Sequence, residues 1–172
     1  MSDVQNVMVL RGQFVRPADT TQYTANDLVA GSTSVVAGNT IEIPNAVQHP
    51  GEAFRIDVVR VRKSSISLTA ASFRVHLFRA QPTWTVGDNG AAGAIGALQC
   101  GVSDHIGYVD VTMDVASVTA SSSAHGKANP STGSITIAPL TGTSIYVALQ
   151  ALSTYTPASA ESFSIGLEGI RS

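Results

Sequence analysis

Residues 53–62 read Ala53-Phe54-Arg55-Ile56-Asp57-Val58-Val59-Arg60-Val61-Arg62. Phe54, Ile56 and Val58 fall on one face, Arg55, Asp57, Val59 and Val61 on the other. A period of two with an apolar face marks a half-buried antiparallel strand, because successive side chains leave a strand on opposite sides. The stretch 72–79 repeats the pattern, with Phe73, Val75 and Leu77 set against Arg74, His76 and Phe78.

Working outward from this pair, further strands are predicted at 7–15 (broken by Arg11-Gly12), 40–43 (ended by Pro44), 107–115, 134–138, 144–152 and 162–167. A weaker one is predicted at 27–30. Gly, Pro, Asn and Ser clusters separate them, as turns require. Lysine occurs only at 63 and 127, while Val, Ile and Thr are common. No window of about a dozen residues keeps an apolar i, i+3, i+4, i+7 pattern free of Gly or β-branched interruption. The expected fold is therefore all-β: a two-sheet β-sandwich, jelly-roll-like, with about eight strands and long loops. Residues 1–172 are read as a single domain of ordinary size. Residues 1–16 are either an edge strand or an N-terminal arm, and strand is the favoured reading.

Three long loops stand out. Residues 17–26 carry Thr20, Thr21 and Thr24; residues 81–101 are a run of small residues after Trp84; residues 119–133 are Ser-rich, with His125, Lys127 and Pro130. Loops beyond about 12–15 residues are usually functional or mobile, so at least one is expected to order against a partner.

Composition narrows the function classes. Charged residues make up 13% of the chain, where about 25% is usual, and the net charge is −2. With no basic excess to neutralise a phosphate backbone, no nucleic-acid partner is expected. Cys100 is the only cysteine, so no intrachain disulfide can form. The Met-Ser-Asp start has no basic, then apolar, leader pattern, and no run approaches the roughly 18 apolar residues of a membrane span. No membrane partner is expected.

Candidate chemistry is sparse. Residues 87–93, Gly-Asp-Asn-Gly-Ala-Ala-Gly, lack the Lys-Ser/Thr ending of a phosphate-binding loop and read as a turn. Ser, Asp and four histidines (His49, His76, His105, His125) are available for a nucleophilic triad, but there is no Gly-x-Ser-x-Gly elbow. Cys100 reads as a small buried hydrophobe. Asp110 and Asp114 share a strand face that could hold a cation or simply be solvated, and no Cys/His spacing suits zinc. No enzyme activity, cofactor or metal is expected. Trp84 and Tyr155 are the aromatic rings to test as sugar-stacking platforms. Arg55, Arg60, Arg62, Arg74 and Arg79 lie on the two best-defined strands and suit either bidentate contacts to a protein partner or a solvated face.

Three blocks of sequence carry a resemblance. The first is Arg16-Pro17-Ala18-Asp19-Thr20-Thr21-Gln22-Tyr23 with Asp27-Leu28-Val29. The second is Lys63-Ser64, Phe73-Arg74-Val75-His76-Leu77-Phe78, Pro82-Thr83 and Gly87-Asp88-Asn89-Gly90-Ala91. The third is Tyr155-Thr156-Pro157-Ala158-Ser159-Ala160-Glu161-Ser162-Phe163. In this order they resemble a family of small tailed-bacteriophage virion proteins of the head decoration, or cement, kind. The resemblance implies a structural protein made in the host cytoplasm and carried on the capsid exterior. There it would bridge major capsid protein subunits as a homo-oligomer, dimer or trimer. A phage tail or host-attachment protein with a glycan-binding β-sandwich is the alternative. The residues expected to touch a partner are Phe14, Arg16, Tyr23 and Trp84.

Overall fold

The computed structural model describes residues 7–93, 98, 100, 104–117 and 122–171, and among these there are eleven strands. They are β1 (Met8–Val15), β2 (Leu28–Val29), β3 (Ile41–Ile43), β4 (Phe54–Lys63), β5 (Ser72–Phe78), β6 (His105–Thr112), β7 (Val115–Ser117), β8 (Ser123–Ala128), β9 (Ile135–Ile137), β10 (Ile145–Ala151) and β11 (Ser162–Arg171). Residues 1–6 of the expected arm, 94–97, 99 and 101 of one expected loop and 119–121 of another lie outside the described residues, as do 102, 103, 118 and 172.

Two antiparallel sheets pack face to face. The first runs β1-β11-β4-β8-β7, with β9 also pairing β4; the second runs β2-β10-β5-β6, with β3 also pairing β10. The pairing is nested: β1 with β11, β2 and β3 with β10, β4 with β8 and β9, β5 with β6. Folding such nested hairpins over into two sheets is the jelly-roll arrangement. The segment 8–15 is thus an edge strand, in register with β11 from Met8 opposite Gly169 to Val15 opposite Ser162.

Inward side chains from both sheets, among them Phe54, Val61, Phe73, Leu77, Val147 and Ile165, form the main core. The face assignment on β4 needs a correction. Phe54 and Ile56 point inward as expected, but Val59 and Val61, not Val58, continue that face. Ile56 pairs with Gly169 and Val58 with Glu168, so Asp57 is an extra residue, a β-bulge. One extra residue flips every later side chain, which puts both apolar pairs inside.

A second, smaller cluster lies on the far face of the second sheet: Leu28, Ala30, Phe78, Trp84, Ala92 and Ala148. The described part of the 81–101 loop folds back over β5 and β10 and orders against this chain's own sheet.

Candidate functional site

Three of the four residues expected to touch a partner are buried. Arg16 and Trp84 are 2% exposed and Tyr23 is fully enclosed. Phe14 is half-buried, its ring stacked on Phe163 at 5.5 Å. As folded, Arg16, Tyr23 and Trp84 present no surface to a partner. Tyr155, offered with Trp84 as a stacking platform, is likewise enclosed.

What these residues build is internal. Arg16 Nε donates to the Tyr23 hydroxyl, which donates to Asp88 Oδ1 at 2.5 Å; Arg16 Nη2 also donates to Asp88 Oδ2 at 3.0 Å. The Ala30 backbone N–H supplies Asp88 with a further donor at 2.8 Å. Beside this lies a second group of the same make-up. The Tyr155 hydroxyl donates to Glu161 Oε2 at 2.6 Å, and Lys63 Nζ donates to Glu161 Oε1 at 3.3 Å and Ser65 Oγ at 2.7 Å. The two tyrosine rings stack within 9° of parallel, and their backbones pair with each other. Each ring also lies under its cation, Arg16 over Tyr23 and Lys63 over Tyr155.

Burial raises both tyrosine hydroxyls above their ordinary value, so they stay protonated and serve as donors. It also raises the Asp88 carboxyl and lowers the Lys63 ammonium. A buried charge is tolerable only when paired and hydrogen-bonded, and here each is. Asp88 sits in the 87–93 segment, where Gly90 N–H bonds to the Gly87 carbonyl and Asn89 takes a positive φ of 60°. The turn reading of that segment therefore holds; the partner role of Asp88 inside it was not foreseen.

The histidines divide. His76, on the far face of β5, is enclosed; its Nδ1 is 3.2 Å from His105 Nε2 and its Nε2 is 3.1 Å from Gln150 Oε1. Gln150 in turn donates to the carbonyls of Gly93 and Asn26, which ties the covering loop down. Burial pushes His76 down to about 4. His49 and His125 are exposed in other places. Asp110 does not share an open site with Asp114: its two oxygens accept from Arg74 at 2.6 and 2.7 Å. No cluster of metal-ligating side chains occurs among the described residues. Cys100 is half-buried beside the second cluster, and burial pushes its thiol up.

The arginines of β4, β5 and the residue after β5 are largely used within the chain, Arg55 with Asp57, Arg60 with Glu168, Arg74 with Asp110 and Arg79 with Asp104. Arg62 differs. It faces out beside a hollow of about 740 Å³ on the outer face of the first sheet. Cross-strand register explains the hollow. Arg11, Gly166, Arg60 and Lys127 form one row across β1, β11, β4 and β8; Gln13, Ser164, Arg62 and His125 form the next. The centre strand contributes only Ser162, Ser164 and Gly166, so the floor is low while β1 and β4 raise longer side chains on either side. Among the described residues, Arg11, Arg62 and Lys127 form no ion pair, and Glu168, the acid beside the hollow, is taken by Arg60. Sequence reading left Arg62 open between a partner contact and a solvated face and missed Arg11 and Lys127, because only the cross-strand register from β1 through β11 and β4 to β8 sets them on the same face. This basic groove is the candidate binding site. The sequence matches no protein-family model and no curated protein.

Proposed function

We propose that the protein is a non-enzymatic decoration protein of a tailed-bacteriophage head, bound to the outside of the assembled shell as a homo-oligomer and bridging major capsid protein subunits. The observation that carries this reading is the ordered set of sequence blocks between Arg16 and Phe163, which resembles such proteins. Two structural features support it. The first and third blocks supply Arg16, Tyr23, Tyr155 and Glu161, which with Lys63 and Asp88 lock one end of the sandwich by buried hydrogen bonds. A body stiffened in this way is suited to clamping neighbouring subunits. The exposed basic groove offers those subunits a surface on which Arg11 and Arg62 form no ion pair among the described residues.

The mechanism is linkage. A protein that binds the assembled shell, and not its separated parts, stabilises the shell by mass action. Several weak contacts made together by an oligomer multiply in effect.

Quantitative mass spectrometry of purified virions tests the reading. Hundreds of copies in a simple ratio to the major capsid protein are expected, and heads lacking the chain should break at lower temperature. A few copies per virion would place it in the tail and overturn the decoration role. The glycan-binding alternative has lost its two named platforms, since Trp84 and Tyr155 are both buried.

A further inference from the structure

Resting on the binding role proposed above, we infer that the groove over β11 is the docking site for an extended acidic segment of the shell protein, laid along β11 between β1 and β4. Its dimensions are those of a polypeptide strand. The floor, Ser162 to Gly166, is five residues long, or roughly 16 Å at the rise of a β-strand. Arg60 and Arg62 stand two residues apart on one wall, and Arg11 stands across Gly166 from Arg60. Alternate side chains of an extended ligand repeat at the same two-residue interval and share one face, so acidic residues at alternate positions meet these cations in step.

The chemistry suits carboxylates. Arg11 and Arg62, which line the groove, carry no ion pair among the described residues, and guanidinium forks match carboxylate geometry. Of the ring side chains of this region, Phe14 and Phe163 stack on each other beneath the sheet, which leaves the small imidazole of His125 as the ring on the outer face. Sugar recognition that relies on ring stacking is disfavoured, and an acidic peptide is favoured.

The test uses the full chain and a fluorescein-labelled peptide, Ser-Glu-Ser-Glu-Ser-Glu-Ser, read by anisotropy at low salt, with the Gln counterpart as control. Saturable binding to the Glu peptide and none to the Gln peptide is expected. The double variant Arg11→Glu/Arg62→Glu should weaken it by about ten-fold or more, because both sites are exposed and the charge is reversed. Ser164→Phe, which fills the floor without changing charge, should weaken it too, while both variants keep the parent melting temperature. Equal binding by parent and charge-reversed chain overturns the inference. So does tighter binding of a sulfated oligosaccharide than of the peptide, or self-association of the parent that the double variant abolishes. Purified heads stripped of the chain separate the two claims. If heads bind parent and double variant alike, the groove proposal falls and the decoration role stands. If heads bind neither while the peptide binds the parent, the decoration role falls and the acidic specificity of the groove stands.

Discussion

Two tyrosine hydroxyls close one end of this sandwich, each donating to a buried carboxylate, and that of Tyr23 also accepts from Arg16. Tyr23→Phe removes the donor to Asp88 and the acceptor of Arg16 Nε while leaving ring volume unchanged. Stranding buried polar atoms costs about 1–3 kcal/mol, so the urea midpoint should fall accordingly with an unchanged slope. Tyr23→Phe combined with Asp88→Asn should cost less than the sum of the two single changes, since the pair loses one shared interaction. This site was only partly legible. Arg16 and Tyr23 stand out as polar residues in a Thr-rich segment, which reads as surface. Their partner Asp88 lies 65 residues beyond Tyr23, and no local spacing reports such a pairing. His76 yields a pH effect of definite sign. An unfolded imidazole titrates near 6.5, whereas burial pushes this one down to about 4. Between those values the unfolded chain binds a proton that the folded chain does not. Stability is therefore full above about pH 6.5 and falls as pH drops toward 4, by about 3 kcal/mol from this group. Urea unfolding measured from pH 7.5 to 4 should show that acid limb, and His76→Gln should flatten most of it.

At the scale of elements, the bulge in β4 decides which valine is structural. Val59 is enclosed and Val58 half-buried. Val59→Thr puts a hydroxyl into the core and should cost about 1–3 kcal/mol, whereas Val58→Thr should stay within about 0.5 kcal/mol. Denaturant unfolding of the two variants distinguishes the bulged register from a regular one, which would reverse the order. The bulge also explains Gly169 on the facing strand. A Cβ there would lie 1.7 Å from the Arg55 carbonyl oxygen, so Gly169→Ala must push the two strands apart; a loss of about 1–3 kcal/mol or more is expected in the same assay. Period two located β4 and β5 because their alternation is strong, but it could not place the bulge, since Val58 and Val59 are chemically equal. β8 was invisible for a different reason. Its sequence, Ser-Ala-His-Gly-Lys-Ala, has neither β-branched nor large apolar residues. It is a strand because β4 has backbone groups to satisfy on that side. Its inward positions must be small: a Cβ on Gly126 would meet the Thr112 carbonyl oxygen at 2.1 Å.

On the scale of the whole molecule, nested pairing makes the two ends of the described chain neighbours, and β1 takes part in the fold as fully as any inner strand. It covers the edge of β11 along eight paired residues, puts Leu10 into the core and packs Phe14 against it. Gly12 is fitted so closely against β3 that a Cβ would lie 2.8 Å from the Glu42 carbonyl oxygen. β1 also supplies the Arg11 wall of the basic groove, so one element serves both core and binding face. An arm that merely reached out to a shell would do none of this. The two roles for this segment predict opposite results on truncation. Were residues 1–15 an arm, removing them would spare the melting temperature and weaken only shell binding. With Met8–Val15 as an edge strand, the removal strips Leu10 from the core together with Met8 and Phe14, which pack against it, and leaves the long edge of β11 open to intermolecular pairing. Loss of burial of this kind costs about 2–5 kcal/mol for each large core residue, a large share of the 5–15 kcal/mol that holds a domain together. The truncated chain should therefore lose its cooperative thermal transition and aggregate, as read by circular dichroism and sedimentation. A cooperative transition at the parent temperature would show that β1 contributes nothing to the fold. A synthetic peptide spanning residues 7–16, added to the truncated chain during refolding, should restore the transition in part, because β11 would then regain its partner.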